Sequence, residues 1–266
     1  MKIGFIGCGN MARAIISGLI ASKTFAPEEI IASDKSEAAL NEAAEKFGIN
    51  TTTNNCALVL ESEMLLLAVK PQILPAVAEE IADVVDESKL IISIVAGQDI
   101  KKITELFGKK IKLVRTMPNT PALVGAGMTA MSPGPGVTPV EAQYAQKILE
   151  SFGEVEVVPE HLMDAVCAVS GSSPAYVAMF IEAMADGAVL EGMPRAQAYK
   201  FATQVVIGTA KLIMETGKHP GELKDMVCSP GGTTIEGLAA LEENGFRGAI
   251  IKACDANFEK NKKLKG

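Results

Sequence analysis

The chain has 266 residues, of which 48% are hydrophobic and 21% are charged, and its formal net charge at pH 7 is −7. These values are typical of a globular protein with one large domain or two smaller ones, and they allow a sizeable core. The acidic balance, the aromatic content of 5% and the absence of tryptophan argue against a nucleic-acid-binding surface.

The cysteines and the apolar runs bear on the cellular compartment. The five cysteines form no C-x-x-C pair and only two histidines accompany them, so we expect reduced thiols and no metal site. The apolar run 64–69 is too short to cross a membrane, and the longer stretch 176–193 contains Glu182 and Asp186, which favours a buried helix. The sequence therefore predicts a cytoplasmic protein without membrane contact.

Short apolar runs alternate with helical patterns through the first part of the chain. The predicted strands are 2–6, 30–33, 64–69, 90–95 and 112–115. The predicted helices are 10–22, 36–47, 73–85 and 100–107. Strands that alternate with helices at this spacing predict an α/β fold whose mostly parallel sheet is covered by helices on both faces.

The pattern changes near residue 160. Residues 129–139 are predicted to be a connector rich in proline and glycine, followed by a helix at 140–152 and a strand at 155–158. The elements predicted after them are all helical and cover 174–191, 194–216, 233–243 and 246–263. We therefore predict a sheet-containing domain at 1–159 and an all-α domain at 160–266.

A dinucleotide fingerprint follows the first predicted strand. Gly7, Gly9 and Ala12 form G-x-G-x-x-A between a strand and a helix, which is the context that a Rossmann-type phosphate loop requires. The first glycine permits a tight turn, and the second lets the backbone approach a pyrophosphate at the helix N-terminus. The residues predicted to bind the cofactor here are Ile6, Gly7, Cys8, Gly9, Asn10 and Met11.

The end of the second predicted strand lies where an adenosine ribose is bound in this fold. Asp34 in this position favours NAD, because an acid accepts from the ribose 2′-hydroxyl, whereas Lys35 and the flanking serines fit a 2′-phosphate. A helix N-cap at Asp34 or Ser36 explains the same residues. We assign Ser33, Asp34, Lys35 and the nearby Asn55 to cofactor binding, with NADP(H) or NAD(H) as the cofactor.

Later strand ends are predicted to face the nicotinamide half, because ligands of open α/β sheets bind outside the carboxyl ends of strands. Small residues there allow a flat ring to approach the backbone, and the lysine among them is either a cofactor contact or an exposed loop residue. Asn119, held between two prolines, is either a cofactor contact or a turn residue. The residues assigned to cofactor binding are Ala68, Val69, Lys70, Pro71, Ala96, Gly97 and Asn119.

Two clusters of glycine, serine and threonine precede helices of the second domain, at 170–176 and 229–234. Small residues that open a helix leave several N–H groups pointing in one direction, which suits a carboxylate, although simple helix capping also explains such a cluster. No G-x-S-x-G elbow is present, and packing accounts for Cys8 better than a reactive thiol does.

Taken together, these motifs resemble pyrroline-5-carboxylate reductases over almost the whole chain. The resemblance rests on FIGCGNMA, LAVKPQ at 67–72, Ala96-Gly97, RTMPNTPALVGAG at 115–127, SGSSPAY at 170–176 and above all SPGGTTIEGL at 229–238. This chain departs from the family at Ser173, where a glycine is usual. The resemblance implies hydride transfer from NAD(P)H to the C=N carbon of a cyclic imino acid, which gives proline.

Residue roles and assembly also follow from the resemblance. It implies that Ser229, Gly231, Gly232 and Thr233 hold the substrate carboxylate, and that Thr234 contacts the ring nitrogen as the catalytic residue. It further implies a homodimer or a ring of dimers formed by the helical domain, which also binds substrate.

Two other functions remain open on the sequence alone. A β-hydroxyacid type of dehydrogenase needs a lysine base on a helix of the second domain, where Lys200 and Lys211 are available without a supporting motif. A non-catalytic dinucleotide-binding regulator is the other alternative, and the 229–234 segment argues against it.

Overall fold

The computed structural model describes residues 2–264, and its backbone divides into two compact units. The first contains the described residues up to Ser172 together with those from Phe258 onward, and the second contains Ser173–Asn257. The change from mixed to all-helical structure nevertheless falls near residue 160, because the last strand ends at Val157 and only helical segments follow among the described residues.

The first unit is built on one sheet. Its strands are β1 Ile3–Ile6, β2 Ile30–Ser33, β3 Asn50–Thr52, β4 Met64–Leu67, β5 Leu90–Ser93, β6 Lys112–Met117, β7 Gly127–Pro133 and β8 Gly153–Val157. Its α-helices are α1 Asn10–Ala21, α2 Glu37–Phe47, α3 Asn55–Glu61, α4 Leu74–Ile81, α5 Ile100–Phe107, α6 Pro139–Leu149 and α7 Met163–Val166. Four single 3₁₀ turns also occur, at Pro27–Glu29, Thr120–Val124, Glu150–Phe152 and Glu160–Leu162.

The strand order is β3-β2-β1-β4-β5-β6-β7-β8, and every neighbouring pair is parallel except β6 with β7. Helices pack on both faces. Phe5, Ile92 and Val114 point to one face with α1 and α6, whereas Leu65 and Leu113 point to the other with α4 and α5. The expected doubly wound, mostly parallel sheet is confirmed.

The prediction of a connector at 129–139 is wrong for the first half of that segment. Gly127–Pro133 forms β7, which pairs antiparallel with β6 and parallel with β8. A glycine and a proline stand at its two ends and suggest a turn, but the residues between them are mostly buried. The short strand β3 and the helix α3 were also not predicted, because three polar residues and a seven-residue helix carry little periodic signal.

The second unit consists of α8 Ser173–Leu190, α9 Arg195–Thr216, α10 Pro220–Val227 and α11 Thr233–Glu243 with most of α12 Phe246–Leu264. Helices α8 and α9 pack through a seam of small side chains, Ala185, Ala198 and Ala202, all buried. An ion pair between Asp186 and Arg195 lies beside this seam.

Large apolar side chains of the second unit lie on its surface. Those that are exposed include Val177, Met179, Phe180, Leu190, Phe201, Val205, Ile207, Met214, Met226, Val227 and Ile251. The expectation that 176–193 forms a buried helix is therefore wrong within one chain, because Ala185 is the single buried residue of α8.

One helical run of the described chain, Glu160–Leu190, is long and apolar enough to cross a membrane by length and composition alone. Only 6% of its most apolar window is buried inside the chain. A single helix of this kind is weak support for a membrane span, and its bare apolar face equally suits contact with another protein chain.

Candidate functional site

The turn after β1 requires a glycine for steric reasons. Gly7 has a φ of +98°, and a Cβ at this position would lie 2.7 Å from the carbonyl oxygen of Ala68. The Gly7 N–H also donates to the carbonyl of Ser33 at 2.8 Å. The fingerprint loop is therefore held between the carboxyl ends of β2 and β4.

Gly9 is different, because nothing in the fold requires a glycine there. Its φ of −76° suits any residue, and a Cβ would meet no protein atom within 4 Å. It is the N-cap of α1 and offers no side-chain cap, whereas side chains cap other helices of this unit: Ser36 for α2, Asn54 for α3, Asp99 for α5 and Thr138 for α6. An open, uncapped helix N-terminus fits the pyrophosphate of a dinucleotide.

Cys8 is held at both of its peptide groups. Its N–H donates to Oδ2 of Asp34 at 2.8 Å, and its carbonyl accepts from Nε of Arg13 at 3.0 Å. The side chain is fully buried, and burial raises the pKa of the thiol, so Cys8 stays protonated at neutral pH. A packing role for Cys8 is thus supported, and a nucleophilic one is not.

The end of β2 carries a small polar network. The buried Ser33 hydroxyl donates to Oδ1 of Asn55 at 2.6 Å, and Nδ2 of Asn55 donates to Glu80 at 2.9 Å. Asp34 accepts from the Cys8 N–H and, through Oδ1, from the Ser36 N–H at 2.9 Å. The cap of α2 is Ser36, whose Oγ accepts from the Ala39 N–H.

Lys35 stands apart from this network. Its side chain is exposed, and no hydrogen bond or ion pair engages its ammonium group in the described part of the chain. Of the predicted residues at this strand end, Lys35 is the one that keeps its polar group fully in solvent.

The ends of β4 and β5 adjoin the fingerprint loop. The Ala68 N–H donates to the carbonyl of Ile6 at 2.8 Å, and the Val69 side chain lies against Gly7. Lys70 is exposed and begins a turn with Pro71, in which its carbonyl accepts from the Ile73 N–H. After β5, Ala96 is exposed and Gly97 has a φ of +69°. The predicted residues of these two loops therefore share the carboxyl edge of the sheet.

Asn119 acts as a tie between segments of the first unit. Its Nδ2 donates to the carbonyl oxygen and to Oγ of Ser170, each at 3.3 Å, and its Oδ1 accepts from the Met128 N–H at 2.9 Å. Each polar group of this side chain is thereby engaged within the protein. The alternative of a structural asparagine has direct support, although the contacts connect distant segments instead of closing a local turn.

The cluster at 170–176 does not open a helix in the expected way. Cys167–Gly171 forms one π-helical turn, and the Ser172 N–H donates to the carbonyl of Cys167 at 3.1 Å. The backbone thus enters the 170s already helical, with this amide paired. The Ser172 amide is therefore not free for an anion, because a π turn precedes α8, whose start at Ser173 lies one residue before the expected one.

The cluster at 229–234 does open a helix. A turn closes from the Gly232 N–H to the Ser229 carbonyl at 3.0 Å, with Gly231 at a φ of +67°. Gly232 is the N-cap of α11 and contributes no side-chain cap. A Cβ on Gly232 would lie 2.4 Å from Oγ of Ser229 and 3.1 Å from its carbonyl oxygen, so a larger residue would require the Ser229 side chain to move.

Thr233 and Thr234 form the first turn of α11, and the Thr234 side chain is half-buried. No residue of α11 is buried within the chain. The loop and its helix therefore combine open main-chain N–H groups with nearby hydroxyls, which is the chemistry that binds a carboxylate.

The remaining candidates have structural roles or none. Nδ1 of His219 accepts from the Gly221 N–H at the start of α10, so this histidine caps the helix. All five cysteines are free. No group of three or more potential metal-ligating side chains comes together within residues 2–264. Sequence reasoning missed Arg13 and Glu80, because a side chain that supports a loop from a neighbouring helix belongs to no motif.

A cavity of about 1180 Å³ lies elsewhere in the first unit, so a search for concave surface would not find the candidate site. It is lined by residues that include Ile100, Lys110, Pro133 and Glu160. None of the predicted site residues lines it. The candidate site is identified by its loops and helix ends, not by concavity.

Two family models match the chain. Residues 2–97 match one described as NADP oxidoreductase, coenzyme F420-dependent, and residues 160–264 match one described as pyrroline-5-carboxylate reductase dimerisation. The first match and the fingerprint on a Rossmann-type sheet define an NADP-binding oxidoreductase. The second match places a self-association region in the helical part.

Relatives that span the full chain define the family. Pyrroline-5-carboxylate reductase from Escherichia coli (strain K12) is 51% identical over 263 residues, which are 99% of this chain and 98% of the relative. The chain belongs to the pyrroline-5-carboxylate reductase family. This membership sets aside a dehydrogenase of the β-hydroxyacid type.

Solved structures agree with this assignment. That of pyrroline-5-carboxylate reductase from Coxiella burnetii is 36% identical with a TM-score of 0.93, and covers 100% of this chain and 98% of its own. The Plasmodium falciparum pyrroline carboxylate reductase with NADP bound is 32% identical with a TM-score of 0.92 and the same two coverages.

Proposed function

We propose that this protein reduces the C=N bond of 1-pyrroline-5-carboxylate to L-proline with NADPH, as the last step of proline biosynthesis. The observation that carries the proposal is two helix N-termini with a glycine as the N-cap, α1 after Gly9 and α11 after Gly232, within a chain of this family. One suits a pyrophosphate and the other suits a carboxylate.

The cofactor is held by the first unit. The N–H groups around Gly9 and the first turn of α1 face the pyrophosphate, and the loops after β4 and β5 support the nicotinamide half. The bound cofactor supplies the hydride, and the protein supplies position and dipoles. The residues that we assign to this site are Ile6, Gly7, Cys8, Gly9, Asn10, Met11, Ser33, Asp34, Lys35, Asn55, Ala68, Val69, Lys70, Pro71, Ala96, Gly97 and Asn119.

The carboxylate of the substrate is held at the start of α11. The open main-chain N–H groups of the first turn of α11, beginning with that of Thr233, face it. The Gly232 N–H closes the turn onto the Ser229 carbonyl, and the hydroxyl of Ser229 lies in the same turn. Gly231 supplies the left-handed conformation that shapes this turn. Anchoring the carboxylate fixes the position of the five-membered ring without contacting the reacting bond, which leaves that bond free to react.

Thr234 acts at the ring nitrogen. The imine carbon gains a hydride and the nitrogen gains a proton, so a hydroxyl that hydrogen-bonds the nitrogen can orient it and stabilise the proton there. An imine nitrogen is basic enough to need no strong side-chain acid, in keeping with the absence of a histidine or a glutamate from the predicted site. Thr234 is the residue that we assign to catalysis.

The organisation of the protein is part of the proposal. Residues 1–159 are the dinucleotide-binding domain, and residues 160–266 are the substrate-binding and dimerisation domain, which associates into a dimer or a ring of dimers. We place the protein in the cytoplasm without membrane contact. The exposed apolar side chains of α8 and α9 are then covered by the partner subunit.

The activity is tested by following loss of the reduced nicotinamide absorbance with pyrroline-5-carboxylate, and by identifying proline as the product. Thr234→Ala should lower kcat by about tenfold to a thousandfold, because one positioned donor is lost, while the Kd for NADPH stays the same. Thr234→Ser keeps the hydroxyl and should retain most of the activity.

Thr203→Ala is the matched control, because Thr203 is an exposed helical threonine of α9. A wild-type protein that binds NADPH but consumes none with this substrate would be a regulator, and the proposal would fail. An unchanged kcat in Thr234→Ala would remove Thr234 from the mechanism and leave the reaction assignment in place.

A further inference from the structure

The acid at the end of β2 is already engaged by the main chain. Oδ2 of Asp34 accepts from the Cys8 N–H at 2.8 Å, and Oδ1 accepts from the Ser36 N–H at 2.9 Å. Each oxygen of the carboxylate therefore has a backbone donor without any ligand. An acid whose task is to accept from a ribose hydroxyl has no need of both contacts.

Arg13 holds the other side of the same residue. Its Nε donates to the Cys8 carbonyl at 3.0 Å, and its NH1 pairs with Glu42 at 2.6 Å. Only 20% of the Arg13 side chain is exposed. Cys8 is thus fixed at its N–H by Asp34, at its carbonyl by Arg13 and at its side chain by complete burial.

This arrangement controls the orientation of the phosphate loop. Cys8 lies between Gly7 and Gly9, so the direction of its two peptide planes decides where the following N–H groups point. Glycines on both sides leave the backbone free to turn, and a flexible loop loses binding energy when a ligand orders it. Charged groups that fix Cys8 in advance remove much of that cost.

We propose that Asp34 and Arg13 are positioning residues for the pyrophosphate, acting through Cys8, and that Lys35 alone distinguishes the two dinucleotides. This inference rests on the proposed use of a nicotinamide dinucleotide. Lys35 adjoins Asp34, is exposed and keeps its ammonium group in solvent, so it is the cation available to a 2′-phosphate at this strand end.

The two possible roles of Asp34 have opposite consequences. The pyrophosphate is common to NADPH and NADH, so loss of a loop-positioning residue weakens both dinucleotides by the same factor. Loss of a ribose acceptor weakens NADH alone, because NADPH carries a phosphate in place of that hydroxyl. The ratio of the two Kd values separates the roles.

The experiment measures Kd for NADPH and for NADH by fluorescence titration, without the imine substrate, for wild type, Asp34→Ala and Asp34→Asn. Loss of a charge-assisted hydrogen bond should raise both Kd values by about tenfold or more in Asp34→Ala, with their ratio unchanged. Asp34→Asn retains one acceptor oxygen and should show a smaller rise. A selective loss of NADH binding would overturn the positioning role.

Arg13→Ala removes the side chain that binds the Cys8 carbonyl, and it should also weaken the binding of both dinucleotides equally. Lys35→Ala should raise the Kd for NADPH about tenfold and leave that for NADH unchanged. Lys46→Ala is the matched control, because Lys46 lies in the last turn of α2, the helix that follows Lys35, at the end remote from this strand end. If Lys35→Ala leaves NADPH binding unchanged, the assignment of Lys35 is wrong.

Thermal unfolding of each variant identifies any substitution that acts through loss of the fold. A folded Asp34→Asn protein with unchanged Kd values for both dinucleotides would also contradict the positioning role of Asp34. Because binding is read without substrate, a protein that binds both dinucleotides but does not reduce pyrroline-5-carboxylate would disprove the proposed reaction and leave this inference open to the same measurements.

Discussion

The two units of the chain differ in where their apolar side chains lie. In the first unit, strands β1, β2, β4 and β5 are buried along their whole length, and helices cover both faces of the sheet. In the second unit, the buried apolar residues are the alanines of the seam and Leu223 of α10, while phenylalanine, valine and methionine side chains remain in solvent. The first unit has a complete hydrophobic core of its own. The second exposes apolar side chains that we expect to form a core shared with another copy of the chain.

This difference matches the division of tasks. A dinucleotide is bound by loops that need a rigid support, and a complete sheet provides it. The helical unit carries the turn at 229–232 on α11, a helix without a buried residue in the single chain. Its stability must come from contacts with another copy, as expected of a region that matches a dimerisation model.

The largest effect is expected from charges on the exposed helical surface. Phe201 and Val205 are 64% and 57% exposed, and they lie four residues apart on one face of α9. The double substitution Phe201→Glu and Val205→Glu should abolish self-association, because each unpaired charge costs about 3–5 kcal/mol when buried in an interface. Light scattering and sedimentation measure the loss.

Val140→Glu is its control in the sheet unit, because Val140 is 75% exposed on α6. It should leave both association and stability unchanged. A double variant that stays oligomeric would show that α9 does not form the interface.

A smaller but still large effect is expected at Gly7. Gly7→Ala places a Cβ 2.7 Å from the Ala68 carbonyl at a φ of +98° and should lower the free energy of unfolding by about 3 kcal/mol. Gly9→Ala meets no atom, so it should leave stability nearly unchanged while weakening dinucleotide binding. Urea unfolding and cofactor titration together test this pair. Equal stability losses in both variants would contradict the view that the fold requires a glycine at position 7 and that only ligand binding requires one at position 9.

The smallest effect concerns the capping box of α6. The hydrogen bond from Lys112, followed by that from the Thr138 N–H, lowers the pKa of Glu141 to about 2. Because the folded pKa lies below the unfolded value of about 4.3, the carboxylate stabilises the fold fully above about pH 5, and this contribution disappears as the pH falls towards 2.

Glu141→Gln should therefore cost about 1 kcal/mol at neutral pH, and its difference from wild type should shrink through that acid range. Unfolding curves at several pH values measure it. A difference that does not change with pH would show that the charge of Glu141 contributes nothing.

Periodic and local features of this fold could be predicted from the sequence. The bounds of β2 and α5 agree with those expected, because an apolar strand and an amphipathic helix can each be recognised from the pattern of a few residues. β7 could not be predicted in this way. Its terminal glycine and proline resemble turn residues, and its place in the sheet depends on tertiary pairing with β6 on one side and β8 on the other.

The candidate site divides along the same line. Glycines with a motif, such as Gly7 and Gly232, could be named because their backbone roles recur in other proteins. The contact of Asn119 with Ser170 could not, since it joins residues that are 51 positions apart in the chain. The assignments of individual site residues to ligands stay predictions.

The seam of Ala185, Ala198 and Ala202 lets α8 and α9 pack together within a single chain. Methyl groups are small enough for α8 and α9 to close on each other within one chain, with Ile181, Met184, Val189 and Met193 packed beside them. A newly synthesised subunit can therefore form a helical hairpin of α8 and α9 with an exposed apolar surface before it meets a second copy. Quaternary assembly then resembles the docking of preformed parts more than the joint folding of two unfinished ones.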